Sequence, residues 1–355
     1  MAVIQNGAWR HCGSNGLGYS LDAWLALGPD PALAVVRSFP VWKRREWQSE
    51  SVCEAGALID LDDKHLLFFL DADYGKRLAA LDAYRRTWPG WTIGWAYNGI
   101  ADVTDALGLD RTVLDRDPWD DADLFRWGRA DPDEPPHLSY LVTVGDTPYG
   151  LDGWAARPWQ IGPDLLDQLA GLPQPSTWPE MPRGGLHLDP AARRAAVWSI
   201  DRVLGLADRF AERWPGWTLE FWQDRYQEQE LRCAGAFRFP DPAHDADQCA
   251  YDFAWRVMDH WIPAAPEYSD DRPRQRGQRD PLYGMGDAGL TIADLQRLGE
   301  MVLGPDRDPR TPPISPDDRS RPSTSPPSRT AFTATDRLLP RGARAFPQMG
   351  CCCGD

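Results

Sequence analysis

The chain has 355 residues and a formal net charge of −15 at pH 7, from 53 acidic and 38 basic side chains. This length is enough for two domains of ordinary size. The acidic balance opposes binding to a phosphate backbone, so we expect no nucleic-acid partner. The longest wholly aliphatic or aromatic run is Leu66–Leu70, far shorter than a membrane span, and no signal segment opens the chain. We therefore expect a cytoplasmic protein with no membrane partner.

The first half of the chain predicts a mixture of strands and helices after a Gly-rich lead-in at residues 1–32. Two extended segments flank an Asp62-Asp63 turn and predict a hairpin, and Gly108 ends a short helix. The predicted elements in chain order are extended segments at Leu33–Val36 and Phe39–Trp42, the hairpin Gly56–Leu61 with His65–Leu70, a helix at Lys76–Thr87, a strand at Trp91–Tyr97, a helix at Ala101–Leu107, a strand at Leu138–Val144 and a loop at Tyr149-Gly150.

The second half begins with an apolar segment, Gly185–Leu188, followed by Asp189-Pro190. Aspartate before proline is typical of a helix start, so we predict a long helix from this point to about Arg213. The later predicted elements are strands at Thr218–Gln223 and Ala236–Phe239 and helices at Asp247–Trp261 and Ile292–Val302.

An internal repeat is the most informative pattern. The string Trp-Pro-Gly-Trp-Thr occurs at Trp88–Thr92 and again at Trp214–Thr218, and each copy follows a helical pattern and precedes an apolar stretch. Two further matches come in the same order. The acidic turns Asp117–Asp123 and Asp241–Asp247 are identical at five of seven positions, and Pro148–Leu151 with Asp164-Leu165 resembles Leu282–Met285 with Asp294-Leu295.

The repeat and the mixed order of elements predict an α+β fold. We expect two tandem, diverged copies of one unit, each a mixed or antiparallel sheet with helices packed against one face. The expected boundaries are a lead-in at 1–32, unit one at 33–173, unit two at 174–304 and a disordered, Pro/Arg/Ser-rich tail at 305–355.

The 18 tryptophans must be buried or used for binding. Inside the repeated string, proline cannot continue a helix and glycine accepts a positive φ, so the string predicts a helix end and a turn into a strand. Core and corner packing is the simpler interpretation. The alternative is that Trp91, Trp95, Trp217 and Trp222 form exposed platforms that bind a ligand ring.

Asp71 and Asp73 follow the apolar strand at Leu66–Leu70. A carboxylate pair at a strand end suits a divalent metal or phosphoryl chemistry. The competing interpretation is that one of the two caps the helix that begins near Lys76, since aspartate is a favoured N-cap residue.

One segment is rich in metal-ligand residue types: His244, Asp245, Asp247 and His260 lie within it. Their spacing matches no zinc pattern, so we predict no metal site and keep these four as the candidates if one exists. The chain has no phosphate-loop lysine motif and no dinucleotide fingerprint, so we also expect no cofactor.

The leading hypothesis is a cytoplasmic, non-catalytic binding protein whose acidic, tryptophan-rich surface engages a protein partner, with a basic protein as the candidate, as toxin-neutralising proteins do. The alternative is an enzyme that acts on a carbohydrate or a phosphorylated small molecule with Asp71 and Asp73. A small molecule could also bind in a cleft between the two units, because ligand sites favour domain interfaces.

Overall fold

A computed structural model gives the structure of the chain. It describes residues 1–13, 20–39, 41, 47–50, 52–114, 138–152, 157–172, 174, 181–203, 206–240, 246–261 and 292–304. The acidic turn at 117–123, most of its match at 241–247, the segment 282–285 and the tail at 305–355 lie outside these residues.

The first half contains a five-stranded mixed sheet. Its strands are β1 (Ala2–Gln5), β2 (Ala8–His11), β3 (Gly56–Asp60), β4 (His65–Phe69) and β5 (Thr92–Trp95), in the order β2-β1-β3-β4-β5. The pairs β1/β2 and β3/β4 are antiparallel, whereas β1/β3 and β4/β5 are parallel. The predicted hairpin is confirmed. The carboxylate of Asp62, in its turn, accepts hydrogen bonds from the amides of Asn6 and Gly7, so the two hairpin turns lie side by side.

The second half contains another five-stranded mixed sheet. Its strands are β6 (Leu138–Val144), β7 (Thr147–Asp152), β8 (Gly184–Asp189), β9 (Arg194–Ser199) and β10 (Thr218–Gln223), in the order β7-β6-β8-β9-β10. Here β6/β7 and β8/β9 are antiparallel, and β6/β8 and β9/β10 are parallel. Strand for strand, the order and directions are the same as in the first sheet.

Helices cover both faces of each sheet, not one face as predicted. The helices of the first half are α1 (Leu21–Leu25), α2 (Pro29–Ser38), α3 (Tyr74–Thr87) and α4 (Ile100–Ala106). Phe68 of β4 packs against Tyr84 of α3, with ring centroids 4.8 Å apart. Its neighbour Phe69 points to the opposite face, where α4 contacts β3 and β4.

The helices of the second half are α5 (Leu165–Gln168), α6 (Leu206–Arg213) and α7 (Gln227–Arg232). The apolar residues of β6 and β9 divide between two clusters. Val142 and Val197 pack in the cluster that contains α6, whereas Leu141 and Trp198 pack in the cluster below α7.

Two C-terminal helices, α8 (Ala246–Trp261) and α9 (Ile292–Leu303), return to the first half. Both contact α3, and α8 also contacts α1. Phe253 and Val302 belong to the same buried cluster as the first sheet. Met1–Pro313 form one compact unit that holds both sheets.

β1, β2 and α1 lie within residues 1–32, and residues 138–172 hold β6, β7 and α5 of the second half. The loop predicted at Tyr149-Gly150 is wrong, because Pro148–Leu151 lies within β7, and its proposed match at 282–285 lies outside the described residues.

Three element predictions are wrong. Leu33–Val36 is helical within α2, and Ala236–Phe239 is not a strand. The long helix expected after Asp189 is a hairpin followed by α6, and the Asp189 carboxylate accepts a hydrogen bond from the amide of Ala192 in the turn. No helix of the described part of the chain has the length and apolar character needed to cross a bilayer.

Candidate functional site

The repeated string builds the same buried corner in both halves. The indole N–H of Trp88 donates to the carbonyl of Leu25, and that of Trp214 donates to the carbonyl of Trp159, each at 2.7 Å. Gly90 and Gly216 follow with φ of 78° and 76°, and the chain turns from a helix into β5 or β10. The string therefore ends a helix in both halves, as predicted.

A second repeated string completes this corner. Gly28-Pro29-Asp30 and Gly162-Pro163-Asp164 each place a glycine against the end of the helix that precedes the repeated string. A Cβ on Gly28 would lie 2.6 Å from the carbonyl oxygen of Thr87, and one on Gly162 would lie 2.6 Å from that of Arg213. Glycine is required at both positions because the two backbones approach so closely.

The four tryptophans proposed as ligand platforms pack inside the protein to different degrees. Trp91 and Trp217 are half-buried and pack edge-on against the corner tryptophans, with ring centroids 4.8 and 5.0 Å away. Trp95 and Trp222 are buried. Arginine side chains lie over the rings of both, Arg77 over Trp95 and Arg232 over Trp222.

Asp71 and Asp73 are both exposed at the start of α3. Asp73 is the N-cap residue: its carboxylate accepts a hydrogen bond from the amide of Lys76 at 2.8 Å and forms an ion pair with the Lys76 ammonium at 3.1 Å. The capping interpretation is thus the one seen for Asp73.

Of the metal candidates, His244 and Asp245 lie outside the described residues. Asp247 is exposed in the first turn of α8, and His260 lies near the end of the same helix. Within the described part of the chain, no group of three His, Cys, Asp or Glu side chains is arranged to hold a metal ion.

The junction of the two halves contains a buried arginine. Arg77 of α3 is 1% exposed, and its guanidinium donates to the carbonyl of Ile200 at 3.1 Å, the hydroxyl of Tyr97 at 2.6 Å and the carboxylate of Asp224 at 3.0 Å. The same guanidinium lies 4.7 Å from the ring centres of both Trp95 and Tyr97. These contacts lie at the junction of the two halves, where the sequence predicts a small-molecule cleft.

A second arginine crosses the junction in the opposite direction. Arg202 follows β9 and is buried in the first half, where it donates to the carbonyls of Glu50 and Cys53 and lies over the ring of Phe69. Each half thus inserts an arginine into the other. Burial raises the pKa of Tyr97 to about 12, which keeps its hydroxyl protonated at neutral pH.

A buried polar network holds α7 on the second sheet. The side chain of Gln229 accepts a hydrogen bond from the indole of Trp198 and donates to the hydroxyl of Thr143 at 2.9 Å and the carbonyl of Leu186 at 3.2 Å. The Thr143 hydroxyl also meets Nδ1 of His187 at 2.9 Å. Burial lowers the pKa of His187, and the Arg232 guanidinium acts in the same direction, so this histidine is neutral at neutral pH.

An open pocket of about 490 Å³ lies between α7 and the segment that follows it. Tyr226, Phe237 and Phe239 border it although all three are buried, and a hydrogen bond of 2.6 Å from the amide of Phe239 to the carboxylate of Glu230 joins its two sides. Leu231, also in the lining, is 76% exposed. We call this surface the α7 groove.

No known protein family, curated protein or solved structure matches this chain.

Sequence reasoning missed Arg77, Gln229 and Arg202, because each acts through a neighbour far away in sequence. The α7 groove had one local signal. Leu231 is an apolar residue between Glu230 and Arg232 on a short helix whose other residues are polar or charged, which indicates an exposed apolar side chain.

Proposed function

We propose that this chain is a cytoplasmic, non-catalytic binding protein that engages a basic protein partner. The observation that carries the proposal is an asymmetry in how its charges are used. Two arginines, Arg77 and Arg202, are buried at the junction, and the partly exposed Arg86 donates to the carbonyls of Met301 and Val302 at the end of α9.

Several carboxylates, by contrast, are exposed and lack an ion pair within the described residues. Within the described residues, Asp63, Asp71 and Asp146 are exposed and have no lysine or arginine within ion-pair distance. These three carboxylates add negative charge to the described surface that no described lysine or arginine offsets. A surface of this kind attracts a basic partner from a distance and accelerates the encounter.

The same internal contacts weaken the case for the enzyme. Asp73 caps a helix, and the tryptophans that would bind a sugar ring are packed against other side chains. A toxic basic protein is the partner class that we propose, since an acidic protein can block it by covering its cationic surface.

We also propose that the two halves are diverged copies of one unit. The identical strand order and directions, the two indole-to-carbonyl hydrogen bonds and the paired Gly-Pro-Asp strings support this. The two halves differ in what covers them, because among the described residues α8 and α9 pack on helices of the first half.

The test is capture from an extract of the native host at about 50 mM and about 300 mM salt, since exposed charge pairs weaken as salt rises. We expect a basic protein to be retained only at low salt and identified by mass spectrometry. The triple variant Asp63→Asn, Asp71→Asn, Asp146→Asn should retain less of the purified partner, whereas Leu231→Asp should retain as much as wild type. Failure to retain a protein at low salt, or retention that salt does not affect, would refute the proposal.

A further inference from the structure

Asparagine is rare in this chain, and its positions share one feature. It occurs only at residues 6, 15 and 98, and glycine follows it each time, although glycine makes up only 31 of the 355 residues. Asn6-Gly7 forms the turn between β1 and β2, Asn98-Gly99 precedes α4, and Asn15 lies outside the described residues. The pairing matters because the backbone of an Asn-Gly sequence can react with the asparagine side chain.

This reaction is deamidation, the loss of the side-chain amide. The backbone nitrogen of the glycine attacks the side-chain carbonyl carbon of the asparagine, and the new N–C bond closes a succinimide ring. The proton of that nitrogen leaves with the side-chain amide as ammonia, and water then opens the ring to aspartate or isoaspartate. Glycine favours the attack because it has no Cβ to restrict the backbone. A contact that holds either reacting group therefore slows the reaction.

Asp62 holds the attacking group of the first pair. Its carboxylate accepts hydrogen bonds from the amide of Asn6 at 2.8 Å and from the amide of Gly7 at 2.7 Å. The Gly7 nitrogen must lose its proton and turn toward the Asn6 side chain before it can attack, and both changes break its hydrogen bond to Asp62. Loss of this proton would also place a second negative charge beside the carboxylate, which Coulomb repulsion opposes.

The turn that carries Asp62 is itself fixed. The Asp60 carboxylate accepts hydrogen bonds from the amides of Asp62 and Asp63 at 2.9 and 3.1 Å, and Asp60 belongs to β3, which pairs with β1. Asn6 and Gly7 have positive φ of 55° and 69°, as in the two-residue hairpin turns that favour Asn-Gly. The turn explains why this pair occurs here, and Asp62 adds a hold on its two amides.

Asp102 holds the opposite reacting group of the second pair. Its carboxylate accepts hydrogen bonds from the backbone amide of Asn98 at 2.9 Å and from the side-chain amide of Asn98 at 2.7 Å. That side-chain amide is the group that leaves as ammonia, so the contact stabilises the unreacted asparagine. The attacking nitrogen, that of the buried Gly99, donates to the carbonyl of Ala96 at 3.0 Å.

We propose that Asp62 and Asp102 protect these two asparagines from deamidation, Asp62 by holding the attacking amide of Gly7 and Asp102 by holding the leaving amide of Asn98. Reaction at Asn6 adds a negative charge next to Asp62 and, as isoaspartate, an extra backbone atom to the turn that sets the register of β1 and β2. The proposal does not depend on the binding function.

The test follows deamidation of the full chain during incubation at mildly alkaline pH. Trypsin releases the two asparagines in different peptides, Met1–Arg10 and Thr87–Arg111, and mass spectrometry measures the conversion of amide to acid in each. The chain unfolded in urea gives the unprotected rates. We expect each site of the folded wild type to react slower by on the order of 10-fold or more, because a hydrogen bond to a carboxylate must break first.

Two variants test the two aspartates separately, and each controls for the other because each removes one negative charge. Asp62→Ala should raise the rate at Asn6 on the order of 10-fold and leave Asn98 unchanged, and Asp102→Ala should do the reverse. Circular dichroism and the thermal midpoint check folding, and a variant that only loosens the fold raises both rates together. A rise at both sites, no rise at the site whose aspartate was removed, or a folded wild type that reacts as fast as the unfolded chain would each overturn the proposal.

Discussion

The paired glycines of the corner allow a test at equivalent positions in both halves. We consider Gly28→Ala and Gly162→Ala, with Gly90→Ala as the control. All three glycines have positive φ, at 89°, 93° and 78°. At Gly90 an added Cβ meets nothing within 4 Å, whereas at Gly28 and Gly162 it lies 2.6 Å from a backbone oxygen.

The magnitudes follow from these contacts. A left-handed backbone costs an alanine about 1–2 kcal/mol, and Gly90→Ala should cost no more than this. Gly28 has a ψ of −178°, a backbone that essentially only glycine adopts, so its backbone cost is at least as large. A Cβ at 2.6 Å from Thr87 O or Arg213 O also forces packed backbone apart, which adds about 1–3 kcal/mol. We therefore expect about 2–5 kcal/mol at each of the two corner glycines.

Urea unfolding followed by tryptophan fluorescence measures these differences, because the corner tryptophans Trp88 and Trp214 report on both halves. The reasoning is refuted if Gly28→Ala costs no more than Gly90→Ala. If the unfolding free energies of Gly28→Ala and Gly162→Ala differ by more than the about 3 kcal/mol assigned to the close contact, the two corners are not equivalent in energy even though their geometry matches.

Three further predictions concern individual carboxylates and the junction. Asp224→Asn should lower the free energy of unfolding by about 3 kcal/mol, because Arg77 is 1% exposed and would keep a buried charge without its counterion. Adding Arg77→Met should recover part of this loss in a double-mutant cycle, whereas additive losses would contradict the pairing. Asp73→Ala should cost about 1 kcal/mol through the lost N-cap, and Asp71→Ala less than about 0.5 kcal/mol, so equal shifts in thermal midpoint would argue against the cap. Burial raises the pKa of Asp22, so the folded protein holds that proton more tightly than the unfolded chain. Wild type should therefore lose stability relative to Asp22→Asn as pH rises from an ordinary aspartate pKa of about 4 to the raised value. Unfolding measured across that pH window should show this slope, and a constant difference between the two proteins would exclude it.

The sequence was sufficient to locate the corner and several elements. The Trp-Pro-Gly-Trp-Thr string, the β3/β4 hairpin and the limits of β6 and β10 follow from local chemistry, since proline and glycine end helices and alternating apolar residues form strands.

The misassigned segments failed for physical reasons. Residues 194–199 contain two alanines and an unbroken apolar run, Ala195–Trp198, which resembles a helix, but β9 is a central strand buried on both faces and shows no polar alternation. β1 and β2 were missed because each strand is only four residues long, even though the Asn6-Gly7 pair between them is a strong hairpin signal.

Most of the candidate sites could not be settled by pattern alone. The pattern of Asp71 and Asp73 allows two interpretations, a carboxylate pair for metal or phosphoryl chemistry and a helix N-cap. The hydrogen bond from the Lys76 amide shows that Asp73 is the cap. Arg77 and Asp224 are 147 positions apart, so no local spacing relates them.

The return of α8 and α9 to the first half has a consequence for synthesis in the cell. A nascent chain released as far as β5 has its first sheet but not the helices that cover α3, since Phe253 and Val302 come from the last part of the described chain. The buried cluster of the first half can be completed only after α8 and α9 have been synthesised, so we expect this half to finish folding late in synthesis.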